Sequence, residues 1–230
     1  MQRISKKIAR LGICSRREAE KLIEQGRVCL NGKILQTPAV NIDEGDLIEI
    51  DGEKINSKEE PSRIFLYHKP AGTVTTAKDE HNRPTVFDNL PKNLPRLITI
   101  GRLDLNTEGL LLMTNDGELA RHFELPSSGI KRTYRVRVHG NIDEKRLKNL
   151  TKGITIEGIN YGSIEVEIDN KITTGRNHWL NVSLSEGKNR EIRKVMKHLG
   201  LEVSRLIRIS YGNYELGELK KGEIKEGEIK

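Results

Sequence analysis

The chain has only two cysteines, Cys14 and Cys29, and they do not form a CxxC pair. Their spacing predicts neither a disulfide framework nor a zinc site, and it fits a reducing compartment. The sequence also lacks the run of roughly 18 apolar residues that a membrane-spanning helix needs, and its first residues lack the apolar core of a secretory signal. We therefore expect a soluble protein of the cytoplasm.

Motifs for small cofactors are missing as well. Neither GxxxxGK[ST] nor GxGxxG occurs, which argues against a bound nucleotide cofactor. His68, His81 and His122 show no metal-ligand spacing. We therefore expect a protein that works without a cofactor or a metal ion.

Positive charge, in contrast, is plentiful and unevenly distributed. Residues 1–33 carry nine basic side chains against three acidic ones, so they hold +6 of the chain's formal net charge of +7. A basic helical run is often only a solvated surface, but this asymmetry favours a nucleic-acid partner. The basic residues that we expect to contact RNA are Arg3, Lys6, Lys7, Arg10, Arg16, Arg17 and Arg27.

The same N-terminal segment has a clear order of secondary structure. Apolar residues at helical spacing predict two short helices within residues 3–25. Gly12 is expected to form the turn between them, and Ser15 the N-cap of the second helix. The pair Asn31-Gly32 predicts a tight hairpin, and a further strand is expected over residues 47–50.

This order of helix, helix and hairpin, in RISKKIARLGICSRREAEKLIEQGRVCLNGK, resembles the S4 RNA-binding domain. The resemblance implies RNA binding and carries no implication about catalysis. We assign residues 1–51 to a small S4-like (α-L) domain and the polar residues 52–62 to a linker.

Residues 63–216 are predicted to form a second domain of the α+β class. Its strands are expected at 64–68, 97–100, 133–138, 164–168 and 180–184, and its helices at 117–123 and 189–199. This pattern indicates a mixed, mainly antiparallel sheet flanked by helices. Residues 217–230 repeat GEIK-like units of alternating sign, so we expect them to form a charged flexible tail.

The most informative run is IGRLDLNTEGLLL at residues 100–112. Arg102 and Asp104 stand two positions apart, which places their side chains on the same side of an extended backbone and lets them share one cleft. For an isolated RLD tripeptide, a turn-capping aspartate beside an ion-paired arginine would be the commoner explanation.

The longer run GRLDLNTEGLLLMTNDGELA resembles the signature of the RsuA/RluB family of bacterial ribosomal RNA pseudouridine synthases. KRTYRVRVHG is similar to the family's second motif, and SLSEGKNREIRKVMKHLG with VSRLIRISYG to its third, so the resemblance covers essentially the whole chain. NREIR and RLIRI are closer to the large-subunit enzymes than to the small-subunit ones. The resemblance implies site-specific isomerisation of uridine to pseudouridine in ribosomal RNA, with 23S rRNA as the expected substrate.

The resemblance also implies roles for three catalytic residues. Asp104 matches the family's catalytic aspartate, which acts on a flipped-out nucleotide either by attacking C1′ or by removing the 2′ proton. Both routes need an ionised carboxylate with a cation beside it, and Arg193 matches the position that pairs with the aspartate. Tyr134 matches the tyrosine that stacks on the target uracil.

Three further residues are assigned to substrate binding. Arg102 matches a family arginine that fills the gap left by the flipped-out nucleotide. Ile192 is expected to line the pocket, although a helix isoleucine is by default a core residue. Lys69, in YHKPAG, matches an HKP motif whose lysine shapes the cleft floor and can contact phosphate, and a plain loop lysine would explain the same letters.

Two other hypotheses stay open on the sequence alone. One is a non-catalytic RNA-binding or ribosome-assembly protein of the same fold, and the other is a synthase that acts on 16S rRNA. A non-catalytic relic is expected to have lost Asp104, Tyr134 or Arg193, and all three are present. We therefore favour the enzyme, and we expect it to act on ribosomal RNA as a monomer.

Overall fold

The computed structural model describes residues 1–55 and 59–230, apart from the side chains of 170–174. It divides into two compact units. The first unit contains Met1–Ser62 with the short segments Asn93–Leu97 and Asn115–Gly117, and the second contains the remainder of the chain.

The first unit combines two helices with two small antiparallel sheets. Its elements are β1 (Gln2–Arg3), α1 (Ile4–Arg10), α2 (Arg16–Glu24), β2 (Val28–Leu30), β3 (Lys33–Ile34), β4 (Asn41–Ile42), β5 (Ile48–Ile50) and β6 (Glu53–Lys54). β1 pairs with β4, and the other sheet has the order β3-β2-β5-β6. The apolar faces of both helices share one core with the strands, formed by Ile4, Ile8, Ala19, Ile23, Val28, Ile42 and Ile48.

Three local signals in the first unit act as the sequence predicts. The Ser15 hydroxyl accepts a hydrogen bond from the Glu18 backbone at 3.1 Å, and the Glu18 carboxylate accepts one from the Ser15 backbone at 2.8 Å, which completes a capping box. Gly12 follows α1 with a φ of +77°. Asn31 and Gly32 both have positive φ, as a type I′ hairpin turn between β2 and β3 requires.

The predicted linker over residues 52–62 is wrong at its start. Glu53–Lys54 form β6, which pairs with β5 through a turn in which Asp51 and Gly52 both have positive φ. Asp-Gly is the same kind of hairpin signal as Asn-Gly, but the exposed polar side chains of this edge strand concealed it. Residues 56–58 of the predicted linker lie outside the described residues.

The second unit is built on one large sheet. Its strands are β7 (Ile64–Lys69), β8 (Ile98–Ile100), β9 (Glu108–Thr114), β10 (Arg132–His139), β11 (Ile154–Ile156), β12 (Ile159–Tyr161), β13 (Ile164–Thr174), β14 (Asn177–Leu184), β15 (Glu202–Tyr211), β16 (Tyr214–Glu215) and β17 (Ile224–Gly227). Its helices are α3 (Gly117–Glu124), α4 (Glu144–Asn149) and α5 (Glu191–His198).

The strand order of the large sheet is β13-β14-β10-β15-β9-β7-β17, with β8 paired to β9 and β16 to β15. β9 and β15 run parallel to each other, and the other pairs in this sheet are antiparallel. The predicted α+β fold with a mixed, mainly antiparallel sheet is therefore confirmed. β11 and β12 form a separate hairpin.

Two apolar clusters pack on this sheet. Around α5, Val195 and Met196 are fully buried against Val136, Leu180 and Val182. The other cluster joins α3 to β7, β8 and β9, and it includes the aromatic rings of Phe123, Tyr211 and Tyr214. Phe123 lies 6.1 Å from Tyr211 and 5.9 Å from Tyr214 between ring centroids. Each half of the sheet therefore has its own apolar core. These two cores hold the strands in place, and with them the loops at the strand ends.

The sequence patterns missed the two central strands, β9 and β15. All seven residues of β9 are buried, so its apolar run shows none of the alternation that marks a half-buried strand. β15 was missed for a different reason, because two arginines, Arg205 and Arg208, interrupt its apolar residues. The helix α4 was also missed, although Asp143 caps it by accepting a hydrogen bond from the Arg146 backbone at 3.1 Å.

The expected flexible tail over residues 217–230 is wrong. Leu219 is buried in the cluster around α3, and Ile224–Gly227 form β17 on the edge of the sheet beside β7. Glu226 also binds Arg63 through two oxygens, at 2.7 and 2.6 Å. The alternating charges suggested disorder, but here they line the exposed side of an ordered edge strand.

The described part of the chain has neither a membrane-spanning helix nor a metal-binding cluster. Within residues 1–55 and 59–230, no helix is both long and apolar enough to cross a membrane. The same residues contain no group of three or more His, Cys, Asp or Glu side chains arranged to hold a metal ion.

Candidate active site

Asp104 lies in the loop between β8 and β9, at the edge of a cleft of about 1100 Å³ in the second unit. Arg102 and Asp104 both line this cleft, and Leu103 between them is buried. The Asp104 side chain is 33% exposed, so a substrate can reach its carboxylate. The backbone nitrogen of Thr107 donates to the Asp104 carbonyl at 3.0 Å and closes the turn that follows.

A second loop holds the Asp104 loop in place from outside. The hydroxyl of Thr75 donates to the Leu103 carbonyl at 2.9 Å, and the backbone of Gly72 donates to the Leu105 carbonyl at 2.8 Å. These bonds fix the residues on both sides of Asp104. The position of the carboxylate is therefore set by hydrogen bonds to the backbone of its neighbours.

Lys69 supports the same loop from below, and its predicted contact with an RNA phosphate is wrong. It is fully buried, and its ammonium group donates to the carbonyls of Pro70 at 3.0 Å, Thr107 at 2.9 Å and Leu105 at 3.4 Å. Burial lowers the pKa of Lys69 to about 8, against the opposing attraction of Asp104 and Glu108. The other part of the prediction, a lysine that shapes the floor of the cleft, stays a prediction, because the fully buried Lys69 holds the Asp104 loop without lining the cleft itself.

The counter-charge of Asp104 is a different arginine from the one predicted. Arg190, at the start of α5, places its guanidinium 3.6 Å from the Asp104 carboxylate. Arg190 has a φ of +52°, a left-handed conformation that is costly for a residue with a side chain and that recurs at functional sites. The NREIR motif contains both arginines, and its letters alone could not show which one faces Asp104.

Arg193 lies on the same cleft but binds backbone carbonyls. Its guanidinium donates to the Asn106 carbonyl at 3.0 Å and to the Val203 carbonyl at 3.2 Å. Within residues 1–55 and 59–230 no ion pair joins Arg193 to Asp104, so the predicted direct pairing is wrong. Burial, and then the nearby charge of Arg190, lower the pKa of Arg193, while Asp104 raises it. Arg193 therefore anchors the turn after Asp104 and adds positive charge to its surroundings.

Tyr134 and Ile192 both line the cleft, as the sequence predicts. Tyr134 is half-buried on β10, where its cross-strand neighbours are Val182 on β14 and Arg208 on β15. Ile192 is 5% exposed and belongs to the core around α5 as well as to the cleft wall. The cleft therefore offers an aromatic face and an apolar wall beside Asp104.

Buried polar atoms without a partner gather at this cleft. In the part of the chain that the structure describes, four side-chain atoms are buried without a hydrogen bond, and all four residues line the cleft: Thr107, Glu191, Arg193 and Arg208. Unsatisfied buried polar groups are rare because each costs about 1–3 kcal/mol. Their concentration at one site indicates a polar ligand. Neither Glu191 nor Arg208 stands out in the sequence, since a hydrophobic pattern does not show which charged side chains are buried.

The basic residues predicted to bind RNA in the first unit differ in their exposure and in their ion pairs. Arg3, Arg16 and Arg17 are exposed. Lys7 binds Glu59 at 2.6 Å, and Arg27 binds both oxygens of Asp51 at 2.7 and 2.6 Å.

Arg10 and Lys6 are less available than the exposed arginines. Arg10 donates to the Glu60 carbonyl at 2.7 Å and to the Ser62 hydroxyl at 3.2 Å. Lys6 is half-buried. The charges free for a polyanion are therefore fewer than the sequence count suggests.

Comparisons with known proteins agree with this site and fold. The family model described as RNA pseudouridylate synthase matches residues 63–198, and the S4 domain model matches residues 2–48. The chain is 51% identical over 220 residues to an uncharacterized RNA pseudouridine synthase of Rickettsia bellii, covering 96% of this chain and 94% of that protein. It is 44% identical over 220 residues to ribosomal large subunit pseudouridine synthase B of Salmonella typhimurium, covering 94% and 75% respectively.

A solved structure supports the same assignment across both units. The crystal structure of a pseudouridylate synthase aligns with a TM-score of 0.69 at 28% identity, covering 99% of this chain and 96% of that one. The synthase family model spans more than half of the chain, and its match includes Asp104, Tyr134 and Arg193. The chain therefore belongs to the RNA pseudouridylate synthase family, enzymes that isomerise uridine to pseudouridine in RNA, and it carries an S4 domain at its N-terminal end.

Proposed function

We propose that this chain converts one uridine of large-subunit (23S) ribosomal RNA to pseudouridine, with Asp104 as the catalytic carboxylate. The observation that carries the proposal is the arrangement of the cleft, where a reachable carboxylate lies beside a cationic partner and an aromatic side chain. The choice of ribosomal RNA is supported by the 44% identical relative named for the large ribosomal subunit. The enzyme is proposed to act as a monomer in the cytoplasm.

The proposed reaction begins with a nucleotide turned out of its helix, because C1′ and C5 are inaccessible within stacked bases. The uracil stacks on the ring of Tyr134, an interaction worth roughly 1–3 kcal/mol. Arg102, which is exposed at the cleft edge, fills the space that the nucleotide leaves. The ribose then lies with C1′ facing Asp104.

The proposed reaction replaces the N1–C1′ bond of uridine by the C5–C1′ bond of pseudouridine. The N1–C1′ bond breaks with its electron pair on the uracil, while Asp104 either bonds to C1′ or removes the 2′ proton. The uracil turns and C5 bonds to C1′, while the Asp104–C1′ bond breaks in the first route or Asp104 returns the proton to C2′ in the second. C5 then loses its proton and N1 gains one, so that the product is an isomer and Asp104 is an ionised carboxylate again. Both routes use the same carboxylate, and Arg190 supplies its counter-charge at 3.6 Å.

Monomeric action is consistent with the surface of the described residues. The large apolar side chains exposed on them are separated along the chain, and most of them lie outside helices and strands: Met1, Ile13, Ile34, Leu47, Leu125, Ile159 and Ile229. Scattered residues of this kind are normal for a monomer, whereas an obligate interface needs a contiguous apolar patch.

The test of the proposed substrate is a map of pseudouridines in ribosomal RNA. RNA from cells with and without the gene is derivatised chemically and read by primer extension. We expect one 23S position to lose its signal without the gene, and to regain it with the wild-type gene but not with Asp104→Asn. A missing position in 16S rRNA, or no missing position in either RNA, would contradict the proposal.

The S4 domain is proposed to contribute the electrostatic part of RNA binding. Arg17 on α2 is exposed, whereas Arg27 is bound to Asp51, so the two offer a matched pair. Arg17→Gln should flatten the plot of log K against log salt by about one unit, and Arg27→Gln should change it less. Equal slopes for the wild type and Arg17→Gln would show that this face does not contact phosphate.

A further inference from the structure

The face of the sheet beneath α5 changes from apolar to polar toward the cleft. Val136 on β10 pairs with Leu206 on β15, and both are buried in the core around α5. Two residues along each strand, Tyr134 pairs with Arg208 in the same way, and both line the cleft. Side chains directly opposite in an antiparallel pair have Cβ atoms about 4.5–5.5 Å apart. Tyr134 and Arg208 therefore form neighbouring parts of one wall.

The backbone beside Arg208 is unusually close to that of β9. Gly109, its partner in the parallel pair, has a φ of +105°, and a Cβ atom there would lie 2.2 Å from the Arg208 carbonyl oxygen. Only glycine can occupy that position without displacing β15. The Arg208 side chain then donates from Nε to the Leu110 carbonyl at 2.7 Å, and its guanidinium lies 4.9 Å from the centre of the Tyr211 ring.

One donor of Arg208 nevertheless has no partner. The residue is only 2% exposed, and its Nη2 atom makes no hydrogen bond to any described residue. A buried charge with an unmade hydrogen bond costs more than the about 1–3 kcal/mol of a neutral group. Such a cost at the wall of a cleft is recovered when a ligand supplies the acceptor.

A second buried arginine on the same cleft shows what a structural role looks like. Arg132 also lies over the Tyr211 ring, at 4.6 Å, and it is 9% exposed. Its guanidinium, however, donates to the Ser185 carbonyl at 2.6 Å and to the Tyr211 hydroxyl at 2.7 Å. Arg132 therefore has a structural role, because it binds protein groups. The Nη2 donor of Arg208, in contrast, is available to a ligand.

We propose that Nη2 of Arg208 binds a carbonyl oxygen of the uracil stacked on Tyr134, and so stabilises the negative charge that the base acquires when it detaches. The inference rests on the proposed function. When the N1–C1′ bond breaks, the electron pair left on N1 delocalises onto O2 and O4, the two carbonyl oxygens. A fixed cationic donor at one of them stabilises the detached base more than the bound substrate, which is the requirement for a catalytic effect.

A uracil carbonyl suits Arg208 better than a phosphate does. A phosphate of the RNA chain stays connected to the neighbouring nucleotides, and so it remains near the mouth of the cleft. Arg208 instead lies at the buried wall, beside the residue proposed to hold the base. The base is the part of the flipped-out nucleotide that enters deepest, and its edge carries the acceptors.

The test compares Arg208→Met with Arg132→Met on two RNAs that differ only at the target, uridine or 5-fluorouridine. Fluorine withdraws electrons and stabilises the detached base without help from the protein. Single-turnover loss of the N-glycoside is followed by chromatography of digested RNA, and RNA affinity is measured separately. We expect Arg208→Met to slow uridine conversion by about 10²-fold, as for loss of one preorganised donor, and to slow the fluorinated RNA markedly less.

The control variant and the alternatives give different results. Arg132→Met should slow both RNAs by the same factor, with a lower melting temperature. An equal factor on both RNAs for Arg208→Met would overturn the proposal, and so would weaker RNA affinity with an unchanged chemical step, the mark of a phosphate contact. If Arg208→Met does not fold, Arg208→Lys, which keeps the charge but not the planar fork, decides by the same comparison. A wild-type enzyme inactive on both RNAs would overturn the proposed function itself.

Discussion

Replacing the buried Lys69 by methionine should change the pH dependence of stability in a defined way. The side chain is fully buried beneath the Asp104 loop, with its charge offset by three backbone carbonyls. Burial lowers its pKa from the ordinary 10.5 to about 8. The folded protein therefore releases the Lys69 proton at a lower pH than the unfolded chain does.

The sign and size of the effect follow from this difference in pKa. Between about pH 8 and 10.5 the unfolded state binds more protons at Lys69 than the folded state, so Lys69 makes the protein more stable as pH rises. A difference of about 2.5 units, at 1.36 kcal/mol per unit, corresponds to roughly 3 kcal/mol. Methionine cannot titrate, so Lys69→Met removes this increase.

The assay is urea unfolding of wild type and Lys69→Met from pH 7 to 10.5. The free energy of unfolding of the wild type, minus that of the variant, should grow by roughly 3 kcal/mol over this range. Lys145→Met, which removes an exposed lysine of α4, is the control for the loss of one positive charge. A difference that stays flat with pH would refute the reasoning about Lys69.

Three further predictions concern the charged side chains Glu108, Arg193 and Arg190. Glu108 has its pKa lowered to about 2, mainly by its hydrogen bonds to Arg205, so Glu108→Gln should cost roughly 3 kcal/mol at pH 7 and almost nothing near pH 2 in urea unfolding. Arg193→Ala releases two backbone carbonyls and should lower both turnover and the melting temperature, the latter by about 4–8 °C. Arg190→Ala should lower turnover alone, because its half-exposed side chain forms an ion pair only with Asp104 among the described residues; a matching loss of melting temperature in calorimetry would contradict this.

Local signals in the sequence predicted much of the fold because short-range physics determines them. The N-cap at Ser15, the Asn31-Gly32 turn and the amphipathic α5 each depend on a few neighbouring residues. The central strand β9 was missed because burial on both faces removes alternation. β17 was missed because its pairing with β7 depends on residues about 160 positions away.

For the candidate site, the motifs identified residues that share the cleft but not the contacts that those residues make. The motif resemblance placed Asp104, Arg102, Tyr134 and Ile192 on one cleft, and the structure puts all four there. It could not show which arginine of NREIR faces the carboxylate, because that depends on the left-handed backbone at the start of α5.

The contacts of two other residues were also hidden from the sequence. The buried position of Lys69 depends on carbonyls 36 and 38 residues along the chain. The unpaired donor of Arg208 depends on how β15 packs against β9, with Gly109 allowing the close approach. Contacts of this kind come from tertiary packing, which no local pattern encodes.

The role of Asp104 as the catalytic carboxylate is tested most directly by Asp104→Asn. The substitution keeps the size of the side chain but removes the oxygen charge that either attacks C1′ or accepts the 2′ proton. Release of tritium from RNA carrying 5-tritiated uridine measures the reaction, and a binding assay on the same RNA checks that the cleft is intact. We expect tritium release to fall to background while RNA affinity stays close to that of the wild type. Substantial turnover by the purified variant would contradict the assignment.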